Sequence, residues 1–321
     1  MFLHEDPHAC EVYDCVVSLL SGAANSYRKA STLNPFPKAF VTENKDRDYD
    51  RLCECLKRLP SPEEMFSADR NVIQLDADQH SLMQFLSNDV VQLRKVAVAE
   101  LQPHYASCAS TLHPNYAFEL VHNSNSSTFQ EFSALKAQYG AQTAFHGSTI
   151  ENWHCIVNTG LRNFSGTEKQ KTGALFGEGI YLSTMLSVAA DFSRSGEGWS
   201  NSTILGRRIR VVGLCEVVKH PELVNRKESD STQRGASLAS VPNAYIVAQS
   251  SACVKVKYLL IYTEKAVSKE DAKKAGNSYT LVMFYVVLLL AIVMSRAENQ
   301  ASVKYWSNKA YRMVLPKGKW R

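Results

Sequence analysis

Apolar residues recur at the spacing of an α-helix through the first hundred residues of the chain. In residues 46–60 and 80–101 they stand three or four positions apart, which places their side chains on one face of a helix. Between these segments, Ser61, Pro62 and Glu64 form a helix start, with a serine cap, a proline in the first position and a glutamate in the third. No strand pattern of comparable strength interrupts them. The pattern therefore predicts an all-α domain over residues 1–101.

The pattern changes after about residue 102. Gln102, Pro103 and residues 113–115 predict a linker, and short apolar runs then predict strands at 116–121, 143–146, 209–218, 244–248 and 254–262. Helical runs at 127–139 and 150–158 lie among them, and Gly160 stands where a helix C-cap is expected. Regular crossover helices do not separate the strands, which disfavours a doubly wound parallel sheet. We expect an α+β domain with a mixed or antiparallel sheet over residues 102–268.

One stretch is apolar on every helical face. Residues 279–295 (YTLVMFYVVLLLAIVMS) contain no charge, proline or glycine. A helix of this length spans about 26 Å, slightly less than a hydrocarbon core of about 30 Å. Lys273 and Lys274 precede the run and Arg296 follows it. The composition predicts one transmembrane helix, and a buried core helix is the alternative.

The position of this run suggests how it reaches a membrane. The N-terminal residues are polar and acidic and lack the apolar core of a signal peptide. We therefore expect a tail anchor that inserts after synthesis, leaves the preceding domains in the cytosol and ends in a short basic tail, residues 296–321. That tail has no acid after Glu298, which opposes its transfer across a membrane. A membrane hairpin stays open, as does a peripheral anchor whose tail lies on anionic lipid.

Composition and charge limit the kinds of partner, cofactor and cellular compartment that we expect for the chain. The chain has 321 residues, of which 45% are hydrophobic and 21% charged, as in an ordinary globular protein. Its net charge of +5 is mild and no basic face is clustered, so we expect no nucleic-acid partner. The eight cysteines form no close-set disulfide framework, which is typical of a reducing compartment. Cys10, Cys15, Cys53 and Cys55 have the wrong spacing for common zinc modules, so we expect no metal.

Three short stretches carry candidate chemistry. They are AFHGS at residues 144–148, LFGEGIYLS at 175–183, and NAYIVA at 243–248 followed by VKVKYLL at 254–260. Taken singly, each has a structural explanation: a satisfied histidine at a strand end, turn glycines, and a tyrosine that packs on a sheet. The Gly-x-Gly of the second stretch precedes a strand, so it is no phosphate-binding fingerprint.

In this order and spacing the three stretches resemble the signature elements of the poly(ADP-ribose) polymerase-like ADP-ribosyltransferase family, the diphtheria-toxin-like class. The resemblance covers roughly residues 100–265. The order of a helical domain, a catalytic domain and an apolar anchor is similar to one membrane-anchored branch of that family, and residues 34–37 (NPFP) look like that branch too. The resemblance implies transfer of ADP-ribose from NAD to proteins, the chain itself among them, at the cytosolic face of the endoplasmic reticulum or nuclear envelope.

The resemblance also implies a role for each motif residue. The backbone of Gly147 would hold the nicotinamide carboxamide, and His146 would hydrogen-bond the adenine-side ribose, with Ser148 in the same dinucleotide-binding turn. Tyr181 and Phe192 would stack on the two faces of the nicotinamide ring. Aromatic faces suit this ring because it is flat and cationic.

Two departures from the family pattern bear on the product and on affinity. Tyr245 stands where chain-forming members carry a glutamate, and a phenol, with a reference pKa near 10, is a poor general base, so we expect transfer of a single ADP-ribose. Glu178 and Glu216 are conceivable substitutes for this glutamate. We expect instead that Glu178 is an ordinary acid in a loop and Glu216 an ordinary acid on a strand. Ala189 replaces a hydroxyl that many members direct at the carboxamide, which predicts weaker binding. An adaptor that binds NAD or ADP-ribose without turnover therefore stays open, and a membrane scaffold without ligand is a weaker option.

Overall fold

The computed structural model describes residues 6–67, 74–88, 90–105, 112–163, 178–225 and 244–264, all within one compact unit, Met1–Glu264. The helices of these residues are α1 (Ala9–Ala24), α2 (Lys29–Thr32), α3 (Tyr49–Arg58), α4 (Pro62–Met65), α5 (Ala77–Asn88), α6 (Val98–Tyr105), α7 (Ser127–Tyr139), α8 (Trp153–Thr159) and α9 (Leu186–Asp191). The strands are β1 (Gln92–Val96), β2 (Tyr116–Val121), β3 (Ala141–Gly147), β4 (Ile180–Ser183), β5 (Gly196–Glu197), β6 (Arg208–Val218), β7 (Val224–Asn225), β8 (Tyr245–Ala248) and β9 (Val254–Thr263).

Helix α1 lies at the centre of the N-terminal helices. On one side Val12, Cys15 and Leu19 pack into the hydrophobic cluster beneath the sheet, and on the other side Tyr13 and Val17 join a second cluster formed with α3 and α5. A helix that buries apolar residues on both sides needs no single apolar stripe. This is why the sequence pattern marks α3 clearly and does not single out α1.

The predicted start of α4 is confirmed. The Ser61 hydroxyl accepts a hydrogen bond from the backbone N–H of Glu64, and the Glu64 carboxylate accepts one from the backbone N–H of Ser61. Pro62 occupies the first turn, where its missing N–H leaves no helical hydrogen bond unmade.

The prediction of one helix across residues 80–101 is wrong. Helix α5 ends at Asn88, the chain forms β1, and α6 follows. Strand β1 pairs antiparallel with β2, where Leu93 faces Leu120, and both side chains are buried. Since backbone hydrogen bonds to β2 and this burial depend on a distant strand, they override the local helical spacing. Pro103 lies inside α6 and not in the predicted linker.

The sheet is antiparallel at every pairing among the described residues, with the order β1-β2-β9-β6-β3-β4-β8-β7 and with β5 beside β6. The predicted strands are confirmed within one or two residues at their ends, and the predicted helix at 127–139 is α7. The run at 150–158 is a 3-10 turn, Ile150–Asn152, that continues into α8. Gly160 ends α8 with a φ of 78°, a conformation that glycine adopts without strain. The α+β expectation is therefore confirmed, with the antiparallel alternative realised.

The predicted transmembrane helix at residues 279–295 and the basic tail at 296–321 lie outside the described residues. Within the described ranges, none of the helices combines the length and the apolar composition that a membrane crossing requires.

We predict that His154 makes the fold sensitive to acid. His154 is 2% exposed, its Nε2 donates to the Pro35 carbonyl oxygen at 2.8 Å, and burial lowers its pKa from 6.5 to about 4. Between these values the unfolded chain binds a proton that the folded chain does not, so the free energy of unfolding falls as the pH falls from 6.5 towards 4. The shift corresponds to about 3 kcal/mol.

Urea unfolding of the wild type and of His154→Gln at pH 7.5, 6, 5 and 4 measures this contribution. Glutamine keeps an N–H donor for Pro35 and does not titrate in this range. The stability difference between the two proteins should therefore move in favour of the variant as the pH falls. A difference that is independent of pH would contradict the prediction.

Candidate active site

The sheet splits between β3 and β4. In the described part of the chain these two strands pair at one position, Phe145 with Ser183, whereas β3 pairs with β6 along its whole length. Continued in register, Gly147 would face Tyr181. Instead, the Tyr181 carbonyl oxygen lies 2.9 Å from Nδ1 of His146. The His146 imidazole therefore hydrogen-bonds a carbonyl oxygen that could otherwise bond to β3 in a regular sheet. The pairing of β3 with β4 ends beside this hydrogen bond.

The hydrogen bond fixes the tautomer of His146. A carbonyl oxygen only accepts, so Nδ1 carries the proton. Burial lowers the pKa of His146 and outweighs the opposite effect of this hydrogen bond, so the ring is neutral near pH 7. Nε2 of the neutral ring then has a free lone pair and can accept a hydrogen bond from a hydroxyl.

Trp153, the first residue of α8, supports the histidine from one face of the sheet. The two rings lie edge to face with centroids 6.1 Å apart. Trp153 packs on Gly213, the β6 residue opposite His146, and a Cβ built at Gly213 would lie 2.8 Å from the indole. Glycine at this position therefore makes room for the indole that orients His146.

Helix α9 presses on Gly147. A Cβ built at Gly147 would lie 1.8 Å from the carbonyl oxygen of Ala189 and 3.1 Å from Cβ of Phe192. Ala189 is buried, whereas half of the Phe192 surface is exposed. The structure thus brings together Gly147, the aromatic residue at its side and the alanine that replaces the expected hydroxyl.

Tyr181 and Tyr245 lie on adjacent strands. Tyr245 faces Ser183 across β4 and β8, and Tyr181 is two residues before Ser183, so the two phenols share one face of the sheet. The Ser183 hydroxyl donates to the Ala244 carbonyl oxygen at 2.6 Å and accepts from the backbone N–H of Met185 at 3.0 Å. Ser183 therefore fixes both the start of β8, beside Tyr245, and the start of α9.

Close packing of β4 against β8 explains why residue 179, two positions before Tyr181, is a glycine. Gly179 has a φ of 157°, and a Cβ built there would lie 2.6 Å from a Val247 methyl carbon and 2.9 Å from the Ala248 carbonyl oxygen. Only glycine allows β4 to begin this close to β8. The second glycine of the Gly-x-Gly motif is thus explained by close packing of strands.

Ser148 continues the turn after Gly147. Its carbonyl oxygen accepts hydrogen bonds from the indole N–H of Trp153 and from the Ser193 hydroxyl, each at 3.0 Å. Its own hydroxyl accepts from Nδ2 of Asn152 at 2.8 Å. Sequence reasoning missed Asn152, Trp153 and Ser193, because no motif marks them and each acts through the turn at Ser148.

The two acids considered as substitutes for the glutamate of chain-forming members lie where the sequence predicts, one on a strand and one in a loop. Glu216 is on β6 and forms ion pairs with Lys136 at 2.9 Å and Lys257 at 3.8 Å. Glu178 is exposed in the loop before β4. Among the residues that the structure describes, no group of three or more histidines, cysteines or acids is placed to hold a metal ion.

Two family models match neighbouring parts of the chain. A family model described as the poly(ADP-ribose) polymerase catalytic domain matches residues 87–250, and one described as the ARTD15 N-terminal domain matches residues 1–87. The chain is 28% identical to the protein mono-ADP-ribosyltransferase PARP16 of Mus musculus, and the match covers 92% of each chain. It is 29% identical to PARP16 of Homo sapiens, over 93% of this chain and 94% of that protein. It is 27% identical to the protein mono-ADP-ribosyltransferase PARP8 of Mus musculus, over 66% of this chain and 29% of that protein.

Proposed function

Because the chain belongs to the poly(ADP-ribose) polymerase family of NAD-dependent ADP-ribosyltransferases, we propose that it transfers a single ADP-ribose from NAD to side chains of protein acceptors, itself among them, and releases nicotinamide. One observation carries the proposal. His146, Gly147 and Tyr181 meet where β3 and β4 part, with Phe192 against Gly147 and Tyr245 on the next strand. This grouping supports the binding of one bent dinucleotide at the point where the strands part.

In the proposed complex the nicotinamide end lies beside α9. The Gly147 backbone binds the carboxamide, and Tyr181 and Phe192 supply the aromatic faces for the cationic ring. The exposure of half of the Phe192 surface supports this role, because its ring is accessible to a ligand. His146 accepts a hydrogen bond from the adenine-side ribose at Nε2, which its Nδ1 hydrogen bond leaves as the acceptor.

Tyr245 decides the product in this proposal. Its place on the same face as Tyr181 supports contact with the nicotinamide-side ribose. A phenol can hydrogen-bond the ribose 2′-hydroxyl, but it is a poor general base for activating a second ribose. Glu216 is held by Lys136 and Lys257, which leaves it badly placed to replace the missing glutamate. The chain would therefore stop after one ADP-ribose.

The transfer would proceed by loosening of the glycosidic bond. The bond between the ribose anomeric carbon and nicotinamide breaks, and its electron pair leaves with the neutral nicotinamide. The oxocarbenium-like carbon is then attacked by an acceptor side chain, which loses its proton to solvent or to a neighbouring base. Fixed hydrogen bonds and positioning stabilise such a centre without covalent help from the protein.

We also propose that residues 279–295 attach the enzyme to the membrane of the endoplasmic reticulum or nuclear envelope, with residues 1–264 facing the cytosol. The uncharged apolar run and the basic residues that flank it support this placing. Fractionation of cells that express the full chain and a variant with Val286→Lys, Leu289→Lys and Val293→Lys tests it. The wild type should resist extraction by alkaline carbonate and the variant should be soluble, and equal extraction of both would contradict attachment through this run.

The transfer reaction is tested by incubating the full chain with NAD labelled in its adenine. We expect one ADP-ribose at each modified site, released nicotinamide in equal amount, and a loss of about tenfold to thirtyfold in rate for Tyr181→Ala, because an aromatic–cation contact in a desolvated site contributes about 2 kcal/mol. Tyr139→Ala, the same substitution at the end of α7 and beside the opposite end of β3, is the matched control and should keep its rate.

Three outcomes separate the alternatives. Long chains of ADP-ribose would contradict the role given to Tyr245. Thermal stabilisation by NAD without release of nicotinamide would favour the adaptor, which the alanine at position 189 suggests. If NAD neither stabilised the protein nor labelled any protein, the proposed function would be refuted altogether.

A further inference from the structure

A hydrogen-bond chain joins the N-terminal helices to the NAD-binding turn. Arg28, between α1 and α2, donates from one guanidinium nitrogen to Glu151 at 2.9 Å and to Oδ1 of Asn152 at 2.7 Å. Asn152 donates from Nδ2 to the Ser148 hydroxyl at 2.8 Å. Arg28 and Glu151 are both largely buried, with 19% and 17% of their side-chain surfaces exposed. The chain therefore begins in the helical part and ends one residue after Gly147.

The chain has a fixed direction. A guanidinium carries donors only, so the side of the Asn152 amide that faces Arg28 is its oxygen. The amide NH₂ must then face Ser148, and the Ser148 hydroxyl oxygen accepts from it. The Ser148 proton is left for another acceptor, and the structure shows no acceptor for it among the described residues. Were the amide reversed, its oxygen would take that proton.

The orientation of the Arg28 side chain leaves one of its hydrogen-bond donors unsatisfied, which a purely stabilising role does not explain. Its Nε is buried and has no hydrogen-bond partner within the described part of the chain. Leaving such a donor unpaired is costly. The guanidinium is thus oriented towards Glu151 and Asn152 although this orientation leaves one of its own donors unsatisfied.

We propose that Arg28 and Asn152 are positioning residues that make Ser148 a hydrogen-bond donor to bound NAD. The inference rests on the proposed function and adds to it a role for the N-terminal helices, which set the affinity for NAD through the orientation of one amide. The donor from Ser148 compensates in part for the hydroxyl that Ala189 lacks, since both serve to hold the same dinucleotide.

Asn152→Asp tests the direction of the chain. An aspartate keeps the shape of the side chain and the contact with Arg28, but both of its oxygens accept, so Ser148 must give its proton to residue 152. In the full chain the KM for NAD should rise about threefold to tenfold, the effect of one neutral hydrogen bond, and kcat should change less than about twofold. Arg28→Ala, which frees the amide to reverse, should raise KM by a similar factor.

The matched control is Ser26→Ala. Ser26 donates to the same Glu151 carboxylate at 2.9 Å and accepts from the backbone N–H of Arg28 at 3.0 Å, but among the described residues it has no hydrogen bond to Asn152. Its KM for NAD should equal that of the wild type. A rise in KM for Ser26→Ala equal to that for Arg28→Ala would show a general packing effect and would overturn the proposal.

A double-mutant cycle with Ser148→Ala isolates the path. If the effect passes through the Ser148 hydroxyl, Asn152→Asp should change KM less than about twofold in the Ser148→Ala background, well below its effect in the wild type. Equal effects in both backgrounds would overturn the inference, as would an active Asn152→Asp enzyme with wild-type KM. A wild-type chain that transfers no ADP-ribose would instead refute the proposed function, so the two failures are distinguishable.

Discussion

Gly147→Ala is expected to lower the rate of ADP-ribosyl transfer at least about a hundredfold, because a displacement of about 1 Å at a reacting site can cost that factor. The added Cβ would lie 1.8 Å from the carbonyl oxygen of Ala189, which is backbone and cannot swing aside as a side chain can. Either α9 moves away, taking Phe192 with it, or the Gly147 backbone moves from the position in which it would bind the carboxamide. The measurement is the initial rate of label transfer from NAD, with the melting temperature recorded beside it.

Gly198→Ala is the control for this prediction. A Cβ at Gly198 would meet its nearest neighbour, Cβ of Ser18, at 3.3 Å, which a small shift relieves. This variant should keep its rate within about twofold, as expected of a substitution away from the reacting groups. If Gly147→Ala retained the wild-type rate, the contact between β3 and α9 would have no part in binding nicotinamide, and the proposed site would lose its best-defined wall.

The motif residues could be found from the sequence because three short stretches, taken in their order and spacing, resemble the signature elements of a known family. The histidine and Gly147 end one strand, and Gly179 must be glycine for β4 to begin against β8. The residues that hold them could not be found in this way. Arg28 reaches Asn152 across 124 positions of the chain, and no local pattern encodes such a contact.

The fold could be predicted to a similar extent, and for similar reasons. Long strands such as β6 and β9 contribute to hydrophobic clusters on both faces of the sheet, so they are apolar over most of their length and the sequence marks them plainly. Strand β1 is short and half-exposed, and its apolar residues fit a helical spacing equally well. Its partner β2 decides the outcome, and pairing with another strand is information that a local pattern does not contain.

The second large effect concerns the contact between the catalytic and helical parts. Trp199 follows β5 and is fully buried in the cluster formed by α1, α3 and α5. Its indole N–H donates to the Leu56 carbonyl oxygen at 2.8 Å, and its ring meets Tyr13 edge to face with centroids 5.4 Å apart. Trp199→Ala should therefore lower the free energy of unfolding by about 3–5 kcal/mol, through a cavity and an unsatisfied carbonyl.

Guanidinium unfolding of the full chain measures this loss, with Ser200→Ala as the matched control. Ser200 is the next residue along the chain and is exposed, so its replacement should change stability by no more than about 0.5 kcal/mol.

The same loop also binds α3 through Asn201, whose amide donates to the carbonyl oxygens of Lys57 and Leu59. If Trp199 ties the two parts into one cooperative unit, probes in the helices and in the sheet should unfold together in the wild type. A loss below about 1 kcal/mol for Trp199→Ala would mean that the helical part is held by other contacts, because a buried tryptophan contributes far more where its packing matters.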